Sequence, residues 1–159
     1  MTEPDDIRAW QRLDDRTTTS GRIVADDVAR LAGLGVRHVI NLALDSHPEA
    51  LADEAARLAR HGIAYTHIPV PFDAPDDDHF AAFVTALEEG PAPVHVHCIL
   101  NWRVSAFFCR YNRERRGLGA DAARAIISGY VLVMCLVLVA GWQLRGEWRG
   151  SSNFAAGFC

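Results

Sequence analysis

Several features common in other protein classes are absent from this sequence. None of its 159 residues is lysine, so all sixteen basic side chains are arginines, and the formal net charge is −4. This acidic balance offers no extended basic surface, so no nucleic-acid partner is expected. Because half of the residues are apolar, the chain can bury one hydrophobic core, and its length suits one domain.

Cysteine is also scarce. The four cysteines, Cys98, Cys109, Cys135 and Cys159, follow no zinc-binding spacing, so no metal site is expected. The acidic N-terminal stretch MTEPDDIRAW is not a secretory signal. We therefore expect free thiols in a reducing cytosol and a cytoplasmic catalytic domain.

Apolar runs alternate with helical patterns along most of the chain. Residues 1–19 are polar and are predicted to be irregular. Strands are predicted at 21–24, 36–44, 63–70 and 94–97, and helices at 26–33, 48–61, 79–89 and 103–116. This order predicts an α/β fold, a mostly parallel central sheet flanked by helices. Sites in such sheets lie beyond the carboxyl ends of the strands.

The stretch VHVHCILNWRVS (94–105) places Cys98 at one such strand end and Arg103 at the start of the following helix. A helix N-terminus and a nearby guanidinium both favour a thiolate. The amides of a tight strand-to-helix loop can cradle an anion, and arginine can clamp an oxyanion with two bonds. The spacing favours a nucleophile beside an anion site over a buried structural cysteine with a solvent-facing arginine.

The motif HC-x4-R-V-S resembles the signature of cysteine-dependent protein tyrosine and dual-specificity phosphatases. TSGR (19–22), GVRHVINLAL (35–44) and GIAYTHIPVPFDAP (62–75) extend the resemblance to a small bacterial branch of that family. The resemblance implies a protein-tyrosine-phosphatase-like catalytic domain at 20–118. It also implies hydrolysis of phosphomonoesters, in a phosphoprotein or a small molecule, through a cysteinyl-phosphate and without a cofactor.

The resemblance implies a role for each matching residue. Cys98 would attack phosphorus, Arg103 would bind the equatorial oxygens, and Ser105 would stabilise the departing thiolate. Asp73 would be the general acid and then the general base. The backbone amides expected to complete the anion cradle belong to Ile99, Leu100, Asn101 and Trp102. His97 would tune the thiolate through a hydrogen bond, and the Trp102 ring is a candidate lining for the pocket mouth.

One departure from the family pattern leaves alternatives open. Four residues, not five, separate Cys98 from Arg103, which makes the loop shorter and the cradle smaller. Rhodanese-type sulfurtransferases also use a six-residue loop that begins at cysteine, where the thiol carries a persulfide. A bacterial group with a C-x4-R loop is labelled sulfurtransferase or beta-lactamase-hydrolase-like. Rhodanese-like sulfur transfer on Cys98 and phosphate binding without turnover are therefore the alternative functions.

Some polar residues have competing interpretations. Residues 76–78 are aspartates on the same loop as Asp73, and any of them could cap the next helix. Histidines 67 and 95 alternate along strands and are predicted to be core or sheet-face residues. Asn41 is predicted to form structural hydrogen bonds at a strand end.

The C-terminal part contains a long apolar stretch. Residues 125–144 carry no charge, and twenty helical residues span about 30 Å, the thickness of a bilayer core. This stretch is predicted to be a transmembrane helix or else a buried C-terminal helix. The arginines before it would keep the catalytic domain in the cytoplasm, anchored to the membrane, with residues 145–159 as a polar tail.

Overall fold

The computed structural model describes residues 3–125 of the chain. Within this range, strands alternate with helices for most of the length. The strands are β1 (Gln11–Asp14), β2 (Thr17–Ser20), β3 (His38–Asn41), β4 (Ala64–His67) and β5 (Val94–His97). The helices are α1 (Ala25–Gly33), α2 (Glu54–Ala59), α3 (Asp77–Glu89), α4 (Trp102–Glu114) and α5 (Ala120–Ala125).

The five strands form one sheet in the order β1-β2-β5-β3-β4. Only the β1–β2 pair is antiparallel, and the other three pairs are parallel. Strand β5 lies at the centre, so its carboxyl end opens between β2 and β3. The predicted α/β fold with a mostly parallel sheet is confirmed, and the geometry places the end of VHVH at the middle of the sheet edge.

The hydrophobic core on one face of the sheet is formed by α1 and α2. Val28 and Leu31 of α1 and Leu58 of α2 are buried against Val39 of β3. Helix α3 contacts β3 on the opposite face, where Gly90 lies directly against the His38 ring. Helices therefore cover the sheet on both sides, as an alternating βα sequence requires.

The expectation of an irregular N-terminal segment was wrong, because residues 11–20 form β1 and β2. Strand β2 is the stretch TTTS, which has no aliphatic residue, and all four of its residues are buried beside the central strand. The strand predicted at 21–24 is absent: these residues follow β2 and precede α1. The predicted helix at 48–61 shortens to α2, because Asp53 adopts a left-handed backbone conformation with φ of 55° just before it.

The chain divides after Val104 into two compact units. Most of the predicted transmembrane or buried helix at 125–144, and the polar tail at 145–159, lie outside the described residues. No helix within residues 3–125 is long and apolar enough to cross a membrane. Cys98 is a free thiol, but Cys109 is disulfide-bonded, contrary to the expectation of free thiols throughout. Nothing in the described residues explains that bond.

Candidate active site

The loop from β5 to α4 begins at Cys98, whose side chain is 1% exposed. Ile99 is also buried, whereas Leu100 at the tip of the loop is exposed. Asn101 adopts a positive φ of 65°, a conformation that asparagine tolerates better than other non-glycine residues. Trp102 then begins α4. The sequence thus folds locally as expected: a buried strand, a tight four-residue turn and a helix.

The segment at the end of β2 holds one side of this loop. The Cys98 amide donates to the Ser20 carbonyl at 3.4 Å, and the Arg22 amide donates to the Ile99 carbonyl at 2.9 Å. The Asn101 side chain is buried and donates to the Thr19 hydroxyl at 3.2 Å and to the carbonyl of Ala9. Strand β2, which was missed in the sequence, is therefore a structural wall of the loop.

Arg103 lies on the other side of the loop. Its Nη1 atom donates to the carbonyl oxygens of Leu42 and Val70, each at 2.8 Å. Leu42 directly follows β3, and Val70 lies three residues after β4. The guanidinium thus lies at the carboxyl ends of β3 and β4, the two strands on one side of β5. No residue in the described part of the chain bonds to its Nε or Nη2 atom.

The loop between β4 and α3 carries the predicted general acid. Asp73 is exposed, and its neighbour Phe72 packs its ring 6.2 Å from the Trp102 ring, at 46°. This contact brings the Asp73 segment beside the start of α4. Asp76 has a different role, because its carboxylate accepts the His79 amide at 2.9 Å and caps α3. Hydrogen bonding to the His79 amide lowers the pKa of Asp76 below its usual value.

A row of polar side chains crosses the sheet directly beneath the Cys98 loop. Strands β2, β5, β3 and β4 end in register at Ser20, His97, Asn41 and His67. His97 is buried, and its Nε2 atom lies 2.7 Å from the Glu54 carboxylate. The other carboxylate oxygen of Glu54 accepts from the side-chain amide nitrogen of Asn41 at 2.9 Å.

Two expectations about this row are confirmed. Asn41 forms structural hydrogen bonds, since its Oδ1 also accepts the Ala43 amide at 2.7 Å. His67 is a sheet-face histidine that donates to the Ala43 carbonyl at 2.7 Å. Glu54, in contrast, was not identified from the sequence, where it is one of several acidic residues in a helical stretch.

His95 is fully buried on the same face, also as expected. The Ser20 hydroxyl donates to the Gly21 carbonyl at 2.8 Å, so it must accept from His95 Nε2, which lies 3.0 Å away. The Thr18 hydroxyl then donates to His95 Nδ1 at 2.9 Å. Burial lowers the pKa of His95 well below its usual value, so the ring is neutral and its two bonds fix the tautomer.

Comparison with known proteins gives the family of this domain. Residues 9–110, almost two thirds of the chain, match the family described as beta-lactamase hydrolase-like protein, phosphatase-like domain. The chain belongs to this family. No curated protein sequence matches it. The matched residues include both β1 and β2, so the N-terminal hairpin is part of the phosphatase-like domain.

Solved structures of other phosphatases share the fold. A candidate phosphatase from Shewanella putrefaciens superposes with a TM-score of 0.70 at 27% identity, over 84% of this chain and 88% of that one. TpbA from P. aeruginosa, solved in complex with pTyr, gives 0.65 at 22% identity, over 82% and 77%. The S. cerevisiae PP-IP phosphatase SIW14 gives 0.62 at 13% identity, over 77% and 78%. The protein-tyrosine-phosphatase-like fold is confirmed.

The phosphatase-like domain thus brings most of the predicted site residues to one edge of its sheet. Cys98, the loop that follows it and Arg103 are adjacent, and the Asp73 segment contacts Trp102. Ser105 is buried in the first turns of α4, beyond the division after Val104, and its role stays a prediction. Among residues 3–125, no cluster of His, Cys, Asp or Glu side chains could hold a metal ion.

Proposed function

We propose that this domain hydrolyses phosphomonoesters through a cysteinyl-phosphate on Cys98. The observation that carries the proposal is the position of a free, buried thiol at the end of the central strand, with Arg103 anchored at the same sheet edge. A phosphoryl group needs a nucleophile on one side and donors around its equatorial oxygens. The loop amides can supply those donors, as can the Nε and Nη2 atoms of Arg103, to which none of residues 3–125 bonds.

The proposed reaction has two steps. In the first, the Cys98 thiolate forms a bond to phosphorus, the bond from phosphorus to the leaving oxygen breaks, and Asp73 donates a proton to that oxygen. In the second, Asp73 removes a proton from water, the water oxygen attacks phosphorus, and the sulfur–phosphorus bond breaks. Ser105 would donate a hydrogen bond to the thiolate as it leaves. The products are the alcohol or phenol and inorganic phosphate.

The position of Asp73 supports its proposed role as acid and base. Its carboxylate is exposed and has no hydrogen-bond partner among the described residues, so it is free to exchange protons with a substrate. Asp76, by contrast, is committed to capping α3. The contact between Phe72 and Trp102 is the structural link that would keep the Asp73 segment over the loop.

The substrate is proposed to be a phosphorylated protein or a small phosphomonoester. The exposed Phe72 and Leu100 and the half-buried Trp102 lie around the loop and offer apolar contacts to an aryl or alkyl group attached to the phosphate. TpbA, which shares the fold, has been solved with pTyr. More specifically, we propose a protein tyrosine or dual-specificity phosphatase activity.

Hydrolysis of an aryl phosphate by the wild type, compared with Cys98→Ser, tests the proposal. We expect turnover that the substitution abolishes, and acid quenching during turnover should leave phosphate on Cys98. Thiosulfate and cyanide test the rhodanese alternative, in which a persulfide forms on Cys98 and no phosphate is trapped. Binding of inorganic phosphate without either reaction would show a binding module and would overturn the proposed hydrolysis.

A further inference from the structure

Glu54 lies in the first turn of α2 and is only 5% exposed. Its two carboxylate oxygens are used on different strands. Oε1 lies 2.7 Å from His97 Nε2 on β5, and Oε2 accepts from the Asn41 amide on β3 at 2.9 Å. A carboxylate is costly to bury, so one that is buried needs close partners, and both oxygens here have one.

The two partners of Glu54 are next in the chain to residues of the proposed anion site: one precedes Cys98, and the other precedes the residue that binds Arg103. His97 immediately precedes Cys98, and its carbonyl accepts the Leu42 amide at 2.9 Å. Asn41 immediately precedes Leu42, whose carbonyl accepts from Arg103. One carboxylate therefore ties the strand end that carries the nucleophile to the strand end that anchors the guanidinium.

The surroundings of Glu54 fix its orientation. The Tyr65 hydroxyl accepts from the side-chain amide nitrogen of Asn41 at 3.1 Å. Burial, with a contribution from the Glu54 carboxylate, raises the pKa of Tyr65 well above its usual value, so the phenol stays neutral. A network of buried hydrogen bonds whose members are held in this way is rigid, and its geometry depends on every member.

We propose that Glu54 is a positioning residue that sets the distance and orientation between the Cys98 thiolate and the Arg103 guanidinium. It acts through His97 and Asn41 and touches neither substrate nor the reacting atoms. The inference rests on the proposed function for its kinetic consequence, but the positioning itself can be measured on Cys98 without turnover. Its role is comparable to that of the outer partners that orient ligands in metal sites.

Glu54→Gln is the informative substitution because it keeps size and shape. With its oxygen on His97, the carboxamide turns its NH2 group toward the Asn41 NH2 group, and two donors cannot bond. Turned over, it can bond both partners only if the His97 proton moves from Nε2 to Nδ1. Glu49→Gln is the matched control, since Glu49 precedes the same helix but is half exposed and pairs with Arg8 and Arg22 at the surface. Both variants remove one negative charge from neighbouring segments.

For Glu54→Gln, we expect the rate of Cys98 alkylation by iodoacetamide and the protection given by inorganic phosphate to fall about tenfold or more. With an aryl phosphate, kcat should fall by a similar factor while KM changes less. Glu49→Gln should match the wild type in all three measurements. If folded Glu54→Gln retains wild-type alkylation, phosphate protection and kcat, the proposal is overturned, whatever its melting temperature.

A double-mutant cycle separates positioning from stability alone. If Glu54 acts through His97, combining Glu54→Gln with His97→Gln should slow alkylation little more than either change does, whereas additive effects would overturn the proposal. Should Glu54→Gln not fold, Glu54→Asp draws the carboxylate back by one methylene and is measured in the same way. If the wild type shows no turnover but Glu54→Gln still slows alkylation of Cys98, positioning is supported and only the proposed hydrolysis is refuted.

Discussion

The Arg103 guanidinium donates to the Leu42 carbonyl at 2.8 Å, which fixes it at the end of a strand next to the one that carries Cys98. The same nitrogen also donates to the Val70 carbonyl. Two carbonyls on one Nη1 atom orient the planar fork and leave its other nitrogens directed elsewhere. A flexible ammonium could not be oriented in this way, because it has no rigid plane.

Arg103→Lys should therefore abolish most activity although the charge is kept. Losing preorganised donors to a developing oxyanion costs about 10²–10³ in rate, and we expect kcat/KM for an aryl phosphate to fall by that order. Arg110→Lys is the control, because Arg110 lies on the same helix and pairs with Glu114. Near-wild-type kcat/KM in Arg103→Lys would show that charge alone suffices and that the anchored fork is not used.

The two aspartates of the β4–α3 loop should give opposite phenotypes. Asp73→Asn removes the proposed acid, so kcat/KM, which reports the first step, should fall about 10²–10⁴-fold with a poor leaving group such as an alkyl phosphate. The loss of kcat/KM should be much smaller with p-nitrophenyl phosphate, whose leaving group needs little protonation. The dependence of kcat/KM on leaving-group pKa is the measurement, and a uniform loss across leaving groups would argue against Asp73 as the acid.

Asp76→Ala provides the comparison in the same loop. Removing an N-cap that accepts the His79 amide should lower the free energy of unfolding, measured by urea unfolding. Its kcat should be unchanged at temperatures where it is folded. Loss of kcat in Asp76→Ala without loss of stability would mean that the roles of the two aspartates are reversed.

The Cys98 loop could be predicted from the sequence because every relationship in it is local. A β-branched strand, a cysteine, four loop residues and an amphipathic helix follow one another within 94–116, and the periodicity of each part is clear. The order of the remaining strands and helices likewise gave the α/β fold. These features need no knowledge of which distant residues meet.

Glu54 and strand β2 could not be predicted, because their contacts are with residues that are distant in the sequence. Glu54 becomes part of the site only because α2 folds over the ends of β3 and β5, and its partner His97 is 43 residues away. Strand β2 is TTTS, which has no hydrophobic alternation, and it is held by hydrogen bonds to His95 and by pairing with β5. Buried polar contacts between distant segments leave no periodic signal in a sequence.

Gly21→Ala should disturb the loop from the β2 side. An added Cβ would lie 2.8 Å from the Ile99 carbonyl oxygen and 3.0 Å from the Arg8 side chain. The arginine can move, but the carbonyl belongs to the loop and also accepts the Arg22 amide. We expect the loop to shift, with kcat/KM and phosphate affinity falling on the order of ten- to a hundredfold.

Gly119→Ala is the control for that substitution, since an added Cβ there meets no atom of residues 3–125 within 4 Å. Titration calorimetry measures the affinity for inorganic phosphate, which depends on the loop geometry and does not require turnover. Unchanged phosphate affinity in a folded Gly21→Ala variant would mean that the loop accommodates the methyl group and that the close approach of Gly21 is not required.

Stability should fall as the pH drops below about 6.5, because of two buried histidines. Burial lowers the pKa of His95 and of His38 in the folded protein, while both titrate near 6.5 when unfolded. Between the folded and unfolded pKa values the unfolded chain binds more protons, so lowering the pH favours unfolding. Each such histidine contributes a slope of up to about 1.4 kcal/mol per pH unit.

Urea unfolding at pH 7.5, 6.5 and 5.5 measures this slope. His95→Gln should flatten the decline, because glutamine can bond to Thr18 and Ser20 but binds no proton in the unfolded state. His61→Gln, the same substitution at an exposed position, is the matched control. If stability falls equally steeply with pH in the wild type and in His95→Gln, groups other than His95 control the acid sensitivity. Burial would then not be what keeps the His95 ring neutral.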